Sequence, residues 1–119
     1  MSDYFDNWTV QVRKGLLDLC ILSVLAEREQ YGYELVRQVV ALPGSGITEG
    51  TLYPLLSRLR LQGLVSTRLE ESPEGPARKY YALTAEGRAV LDLMTDYMDR
   101  VNEDAALLRE EAWHALAEK

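Results

Sequence analysis

From Leu91 onward, apolar residues recur at alternating intervals of three and four. Leu91, Met94, Met98, Val101, Ala105, Leu108, Ala112 and Ala115 form an unbroken heptad stripe. The residues between them are mostly acidic or polar, so one helix carries one apolar seam. That helix runs from Thr84 to the C-terminus. Its roughly 30 residues span ~45 Å at about 1.5 Å per residue, longer than a small domain. Its own domain can cover only the first turns of the seam. The remainder requires a second chain, and a homodimer is the expectation. The small alanines and flexible methionines suit a multi-helix interface better than a two-stranded zipper.

Upstream of this helix the chain reads as one small domain. Val10 to Glu29 is helical, with Leu16, Leu17, Leu19, Cys20, Ile21, Val24 and Leu25 forming a wide stripe that predicts deep burial. A second helix is expected from Tyr31 to Leu42, stopped by a turn at Pro43 to Gly46. A third is expected from Thr48 to Gln62, capped by Thr48 and ended by Gly63. On the third, Leu52, Leu55, Leu56 and Leu59 share one sector. The outer side holds Gly50, Pro54, Ser57 and Leu61, flanked by Thr51 and Arg58 and by Tyr53 and Arg60. Pro54 lies near the first turn, where a missing N–H is tolerated. Two strand-like runs follow, Val65 to Glu70 and Lys79 to Leu83, joined by a hairpin tip at Glu71 to Arg78. Three helices, then a hairpin, then a long helix predict a mainly α chain with a small β part. It is a winged helix-turn-helix with a two-stranded wing over residues 1–83, and a C-terminal dimerisation helix over 84–119.

Charge and chemistry narrow the function. The net charge is −6, but residues 83–119 carry −5 of it and residues 1–82 only −1. A local basic face in the first two thirds therefore stays open. One cysteine and one histidine, Cys20 and His114, leave no disulfide and no zinc cluster of the usual kind. Cys20 lies in an apolar run and is expected to be a buried free thiol. Asp92, Asp96 and Asp99 read as a solvated helix face rather than metal ligands. Neither a nucleophile–base pair nor a phosphate-cradling glycine loop is visible, so no enzyme is expected, and no cofactor or metal. The start MSDYFDNW is acidic and lacks the order of a signal peptide, and no apolar run is long enough to span a bilayer; the expected compartment is the cytoplasm.

A helix fits the major groove, and the outer side of the third helix offers Thr51, Tyr53, Ser57 and Arg58 to base edges or phosphates. Arg78 and Lys79 flank the wing turn within reach of the backbone or minor groove. Double-stranded DNA is the expected partner. The competing class is a dimeric winged-helix module that binds protein without reading DNA.

YGYEL at Tyr31 to Leu35, EGTLYPLLSRLRLQGLV at Glu49 to Val65 and RKYYALTAEG at Arg78 to Gly87 together resemble the PadR family of transcription regulators. KGLLDLCILSVL from Lys14 to Leu25 fits the first helix of that family, and the resemblance covers about residues 12–100. The short C-terminal segment is similar to the subgroup with a single C-terminal helix. The resemblance implies homodimers on pseudo-palindromic operators, mostly repressors, many released by small aromatic or cationic molecules. By position it implies a recognition helix at Glu49 to Gln62, a wing tip at Ser72 to Lys79, and phosphate contacts from Lys14 and Tyr31, with Tyr33 helping or only packing. It also implies an effector site between the C-terminal helices, for which Tyr97 and Met98 are the mid-helix candidates and Trp8 and Trp113 approach from the ends. The segment Ser2 to Trp8 reads as an extension with no assigned role.

Overall fold

The computed structural model describes residues 2–42 and 46–118. Its elements in chain order are α1 (Asp3–Glu27), β1 (Gln30–Tyr31), α2 (Gly32–Ala41), α3 (Glu49–Leu61), β2 (Val65–Ser72), β3 (Gly75–Leu83) and α4 (Ala85–Ala117).

The first helix begins far earlier than its apolar stripe. Ser2 caps it, its hydroxyl accepting from the Phe5 amide at 3.3 Å, and Asp3 and Asp6 lie in its first turn, where the positive end of the helix dipole favours acids. The supposed N-terminal extension is thus the first two turns of α1. Burial on α1 is narrower than the stripe suggested: Leu17, Ile21, Leu22 and Leu25 are buried, whereas Leu16, Leu19, Cys20 and Val24 are only half-buried. The Cys20 thiol, partly desolvated, is pushed above its ordinary range. Activated thiolates are shifted in the opposite direction.

The core forms where α1 meets α2 and α3. Leu35, Val36 and Val39 from α2 and Leu52, Leu56 and Leu59 from α3 join the α1 residues, with Val65 and Tyr81 closing the side toward the sheet. The turn expected at Pro43 to Gly46 falls at Pro43 to Ser45 outside the described residues. Gly46 is described and adopts φ +58°, a conformation open to glycine.

The sheet has three strands in the order β1-β3-β2, all antiparallel, rather than two. β1 adds the pairs Gln30↔Tyr81 and Tyr31↔Tyr80 to the edge of β3. The Gln30 side chain is buried and its amide nitrogen donates to the Val24 carbonyl at 3.3 Å, tying the strand to α1. β2 and β3 extend well past the expected strands. Only Pro73 and Glu74 form the turn, and a bulge falls between Glu70 and Ser72.

α4 starts on a fixed foundation. The Thr84 hydroxyl accepts from the Gly87 amide at 2.9 Å and donates to the Gly63 carbonyl at 2.7 Å. The Thr84 amide donates to the Leu64 carbonyl at 3.2 Å. The end of α3 and the start of α4 therefore share one hydrogen-bonded junction. Along the seam, Leu91 is buried and Met94 and Met98 are half-buried against α1, but Val101, Ala105, Leu108 and Ala112 are exposed. The molecule measures 72 × 34 × 21 Å with a radius of gyration of 18.5 Å. A compact chain of this length has about 13–14 Å. The excess is the outer half of α4, which leaves its own domain behind. Among the described residues no helix is long and apolar enough to cross a membrane.

Candidate nucleic-acid interface

α3 is split cleanly by burial. Leu52, Leu56 and Leu59 are at most 3% exposed, while Thr51, Tyr53, Ser57, Arg58 and Arg60 are all exposed. The four-residue and three-residue spacing of the leucines puts them on one stripe, so the polar residues between them must face away from the core. Thr48 occupies the N-cap, but its hydroxyl makes no capping bond; it pairs with the Thr51 hydroxyl at 3.2 Å instead. Pro54 is the sixth residue of the helix, beyond the first turn, and the residue four before it is the exposed Gly50, where ring and carbonyl meet least obstruction. The helix ends as expected: Gly63 at φ +78°, with Gly63 N–H donating to the Arg60 carbonyl and Leu64 N–H to the Leu59 carbonyl, both at 3.0 Å. These are the two bonds of a Schellman end.

Arg58 is not a free side chain. Its Nη2 donates to both carboxylate oxygens of Asp18 on α1, at 2.8 and 2.9 Å. Nothing local in the sequence signals this pair, which is forty residues apart. Lys14 is exposed on the same helix. Its neighbour Arg13, which the sequence reading passed over, lays its guanidinium against the backbone of Gly46 in the connection between α2 and α3: a Cβ on that glycine would fall 2.8 Å from the guanidinium carbon. The signal for Arg13 was its adjacency to Lys14.

The wing differs most from expectation. Arg78 and Lys79 do not flank the turn but lie within β3, opposite Glu70 and Leu69. The tip itself carries Glu71 and Glu74 and is acidic, so the wing's cations lie along its flank. Arg78 sits over the Tyr31 ring, 5.0 Å from its centroid, and Tyr31 also packs against Tyr33 at 6.2 Å and Tyr80 at 5.9 Å. Tyr31 is a strand residue and the N-cap of α2, half-buried in this aromatic cluster. It braces the wing against α2, and Tyr33, half-exposed, packs in the same group. A second brace lies beside it: Arg68 donates from Nε to Glu29 Oε2 at 2.9 Å and from Nη2 to Glu29 Oε1, and its guanidinium lies 4.5 Å from the Tyr80 centroid. The hydrogen bond from Arg68 holds the Glu29 carboxyl below the usual glutamate range.

Away from these elements, α1 and α4 form an open apolar groove of about 350 Å³ lined by Gln11, Val12, Gly15, Leu16, Leu19, Met94, Tyr97 and Met98. The structure thus brings Tyr97 and Met98 together. It does not bring Trp8 or Trp113 to them. Trp8 stacks on Phe5 at 6.1 Å and borders a neighbouring shallow site with Tyr4, Asn7 and Gln11, which shares Gln11 with the first. Trp113 is 72% exposed near the end of α4. The α1 half of the groove was missed, although Val12, Gly15, Leu16 and Leu19 form a second small or apolar stripe at helical spacing.

Three helices, a three-stranded sheet with a long wing, and a protruding fourth helix define a winged helix-turn-helix. Residues 21–93 match the model of the PadR-like family of transcriptional regulators. The fold is similar to a PadR-family transcriptional regulator from Eggerthella lenta, with a TM-score of 0.78, 33% identity, and 89% of this chain and 92% of that one covered. It is also similar to a PadR-like transcription factor from Bacteroides fragilis, with a TM-score of 0.73, 35% identity, and 86% and 98% covered. The transcriptional regulator YqjI of Escherichia coli is 32% identical over 91 residues, which are 75% of this chain but 42% of YqjI. The chain belongs to the PadR-like family. It is a DNA-binding transcriptional regulator and not an enzyme.

Proposed function

We propose that this chain acts in the cytoplasm as a homodimeric repressor on a pseudo-palindromic operator. Residues 1–83 read the DNA and residues 84–119 pair the two copies through Leu91, Met94, Met98, Val101, Ala105, Leu108 and Ala112. The observation that carries the reading is the pairing of two unfinished surfaces. One is the polar face of α3, with its leucine face already consumed by the core. The other is the exposed outer half of the α4 seam, which a second copy covers.

In this reading the two α3 helices enter successive major grooves, about 34 Å apart. Thr51, Tyr53 and Ser57 face base edges, while Lys14, Tyr31, Arg58, Arg78 and Lys79 face the backbone. The acidic wing tip stays clear of the phosphates, and the cations behind it make the contact. A flat aromatic or cationic molecule entering the α1–α4 groove beside Tyr97 and Met98 shifts the spacing between the two heads. DNA affinity then falls by the ligand's preference for the shifted state.

Selection from random duplex DNA by the purified protein, followed by sedimentation of the selected complex, tests the reading. It predicts a two-fold symmetric consensus bound by two chains. Recovery of no enriched sequence contradicts it.

A further inference from the structure

The contacts of α3 fix which way it faces. On one flank Arg58 bonds Asp18 of α1. On the other, Tyr53 and Arg60 lie near enough to Tyr81 of β3 to act electrostatically on its phenol, which burial raises above its ordinary range. Leu52, Leu56 and Leu59 fill the core between these two walls. The sector left pointing straight out holds Gly50, Pro54, Ser57 and Leu61. At about 100° per residue they fall within roughly 60° of one another, opposite the leucines. All four are exposed. Pro54 is the apolar one in the N-terminal half of the helix, the half that reaches base edges in a helix-turn-helix. It is also costly where it stands. As the sixth residue of α3 it lacks the N–H that would donate to the Gly50 carbonyl, and proline is the poorest helix former. The core gains nothing from it, because its ring lies outside the core cluster. Gly50, one turn earlier, has no side chain to stand beside the ring. A Cβ there would meet only Thr48 Oγ1, at 3.9 Å, so packing does not demand the glycine. The result is an unshielded apolar ring where the helix comes closest to a duplex.

We propose that Pro54 is a specificity-determining residue that reads thymine: its ring packs on the 5-methyl group of one thymine in each half-site. This rests on the DNA-binding reading above and adds which base the centre of α3 selects. Thymine alone among the four bases carries an apolar group on its major-groove edge. Guanine, adenine and cytosine present acceptors or an amino group there. A pyrrolidine ring laid over those groups strips their water and returns no hydrogen bond. The ring therefore favours thymine by contact and disfavours the other bases by desolvation. The hydroxyls and guanidinium groups on either side of it remain free to bond polar edges or phosphates.

The experiment measures equilibrium binding of the full-length wild type and Pro54→Ala to a duplex that the wild type has selected from random DNA. Each thymine of the site is replaced in turn, symmetrically in both half-sites, by deoxyuridine, which removes the methyl group and keeps the base pair. Alanine restores the missing N–H and suits a helix, and far-UV circular dichroism with thermal melting confirms that the variant is folded. For the wild type, at least one thymine position should be sensitive. Loss of its methyl should weaken binding about fourfold per half-site, or about fifteenfold for the symmetric pair. In Pro54→Ala that discrimination should vanish at one sensitive position and persist at any other. A wild type indifferent to every thymine-to-uracil change overturns the proposal. So does a folded Pro54→Ala that keeps every discrimination of the wild type, or one that binds no duplex at all. Failure of the wild type to select any sequence would instead strike the DNA-binding reading itself.

Discussion

Replacing Gly87 by alanine should destabilise the protein, although helix propensity alone predicts the reverse. Gly87 is the third residue of α4, and alanine in a helix is favoured over glycine by up to ~1 kcal/mol. A Cβ at this position, however, would lie 2.1 Å from the Leu64 carbonyl oxygen and 2.6 Å from Leu83 Cδ1. Ordinary van der Waals contact is 3.4–4 Å, so the first turn of α4 would have to retreat by more than about 1 Å. It cannot do so locally. The Leu64 carbonyl accepts from the Thr84 amide, and Thr84 holds both Gly63 and Gly87 through its hydroxyl. Forced overpacking of this kind costs about 1–3 kcal/mol or more, and here the obstacle is backbone, which puts the value at the upper end. The net expectation is a loss of about 2 kcal/mol after the propensity gain, a substantial part of a stability of about 5–15 kcal/mol. Urea unfolding followed by far-UV circular dichroism, at fixed protein concentration because a dimer's stability depends on it, reads this directly. Gly75→Ala is the control. A Cβ there meets nothing within 4 Å, and the change should stay within about 0.5 kcal/mol. A Gly87→Ala protein as stable as the wild type would refute the close-packed junction between α3 and α4.

Other perturbations address the remaining surfaces. Met98→Asp with Val101→Asp should yield monomers in sedimentation and abolish operator binding; a dimeric variant would contradict the seam. Arg78→Ala with Lys79→Ala should weaken DNA binding and flatten its dependence on salt by up to about two phosphate contacts, leaving the dimer intact; an unchanged slope would remove the wing flank from the interface. The Glu29 carboxyl is held below its ordinary range in the folded state by Arg68, so its contribution is full above the usual glutamate range and is lost as pH falls from there through the lower folded-state range. Glu29→Gln should therefore make the melting temperature less sensitive to acid below about pH 5 than in the wild type, and an identical acid limb would contradict the assignment.

The legible parts of this protein are those governed by local periodicity. The α4 seam, the leucine face of α3 and the glycine that ends it are written in spacings of three and four and in one residue type with a positive φ. The start of α1 was missed because its first turns, Asp3 to Trp8, are acidic and aromatic with no buried stripe; the signal there was a capping serine. β1 is two residues long and has no period. It exists because Tyr80 and Tyr81 offer it an edge. The wing was cut short because Pro73 and Pro76 suggested a broad loop, whereas only Pro73 lies in the turn and Pro76 lies in β3 beyond it. The site was legible as a list of side chains but not as contacts. Arg58 with Asp18, Arg78 over Tyr31 and Arg13 against Gly46 all join distant segments, and the fold alone decides which cations are engaged.

Hydroxyl-radical footprinting of the protein on a duplex it has selected tests the central claim most directly. Two copies joined through α4 and reading DNA through α3 should leave two protected patches on one face of the duplex, with centres about 10–10.5 base pairs apart, and both should vanish together in the Met98→Asp, Val101→Asp variant. A single protected half-site, or a footprint that survives in that variant, would contradict it.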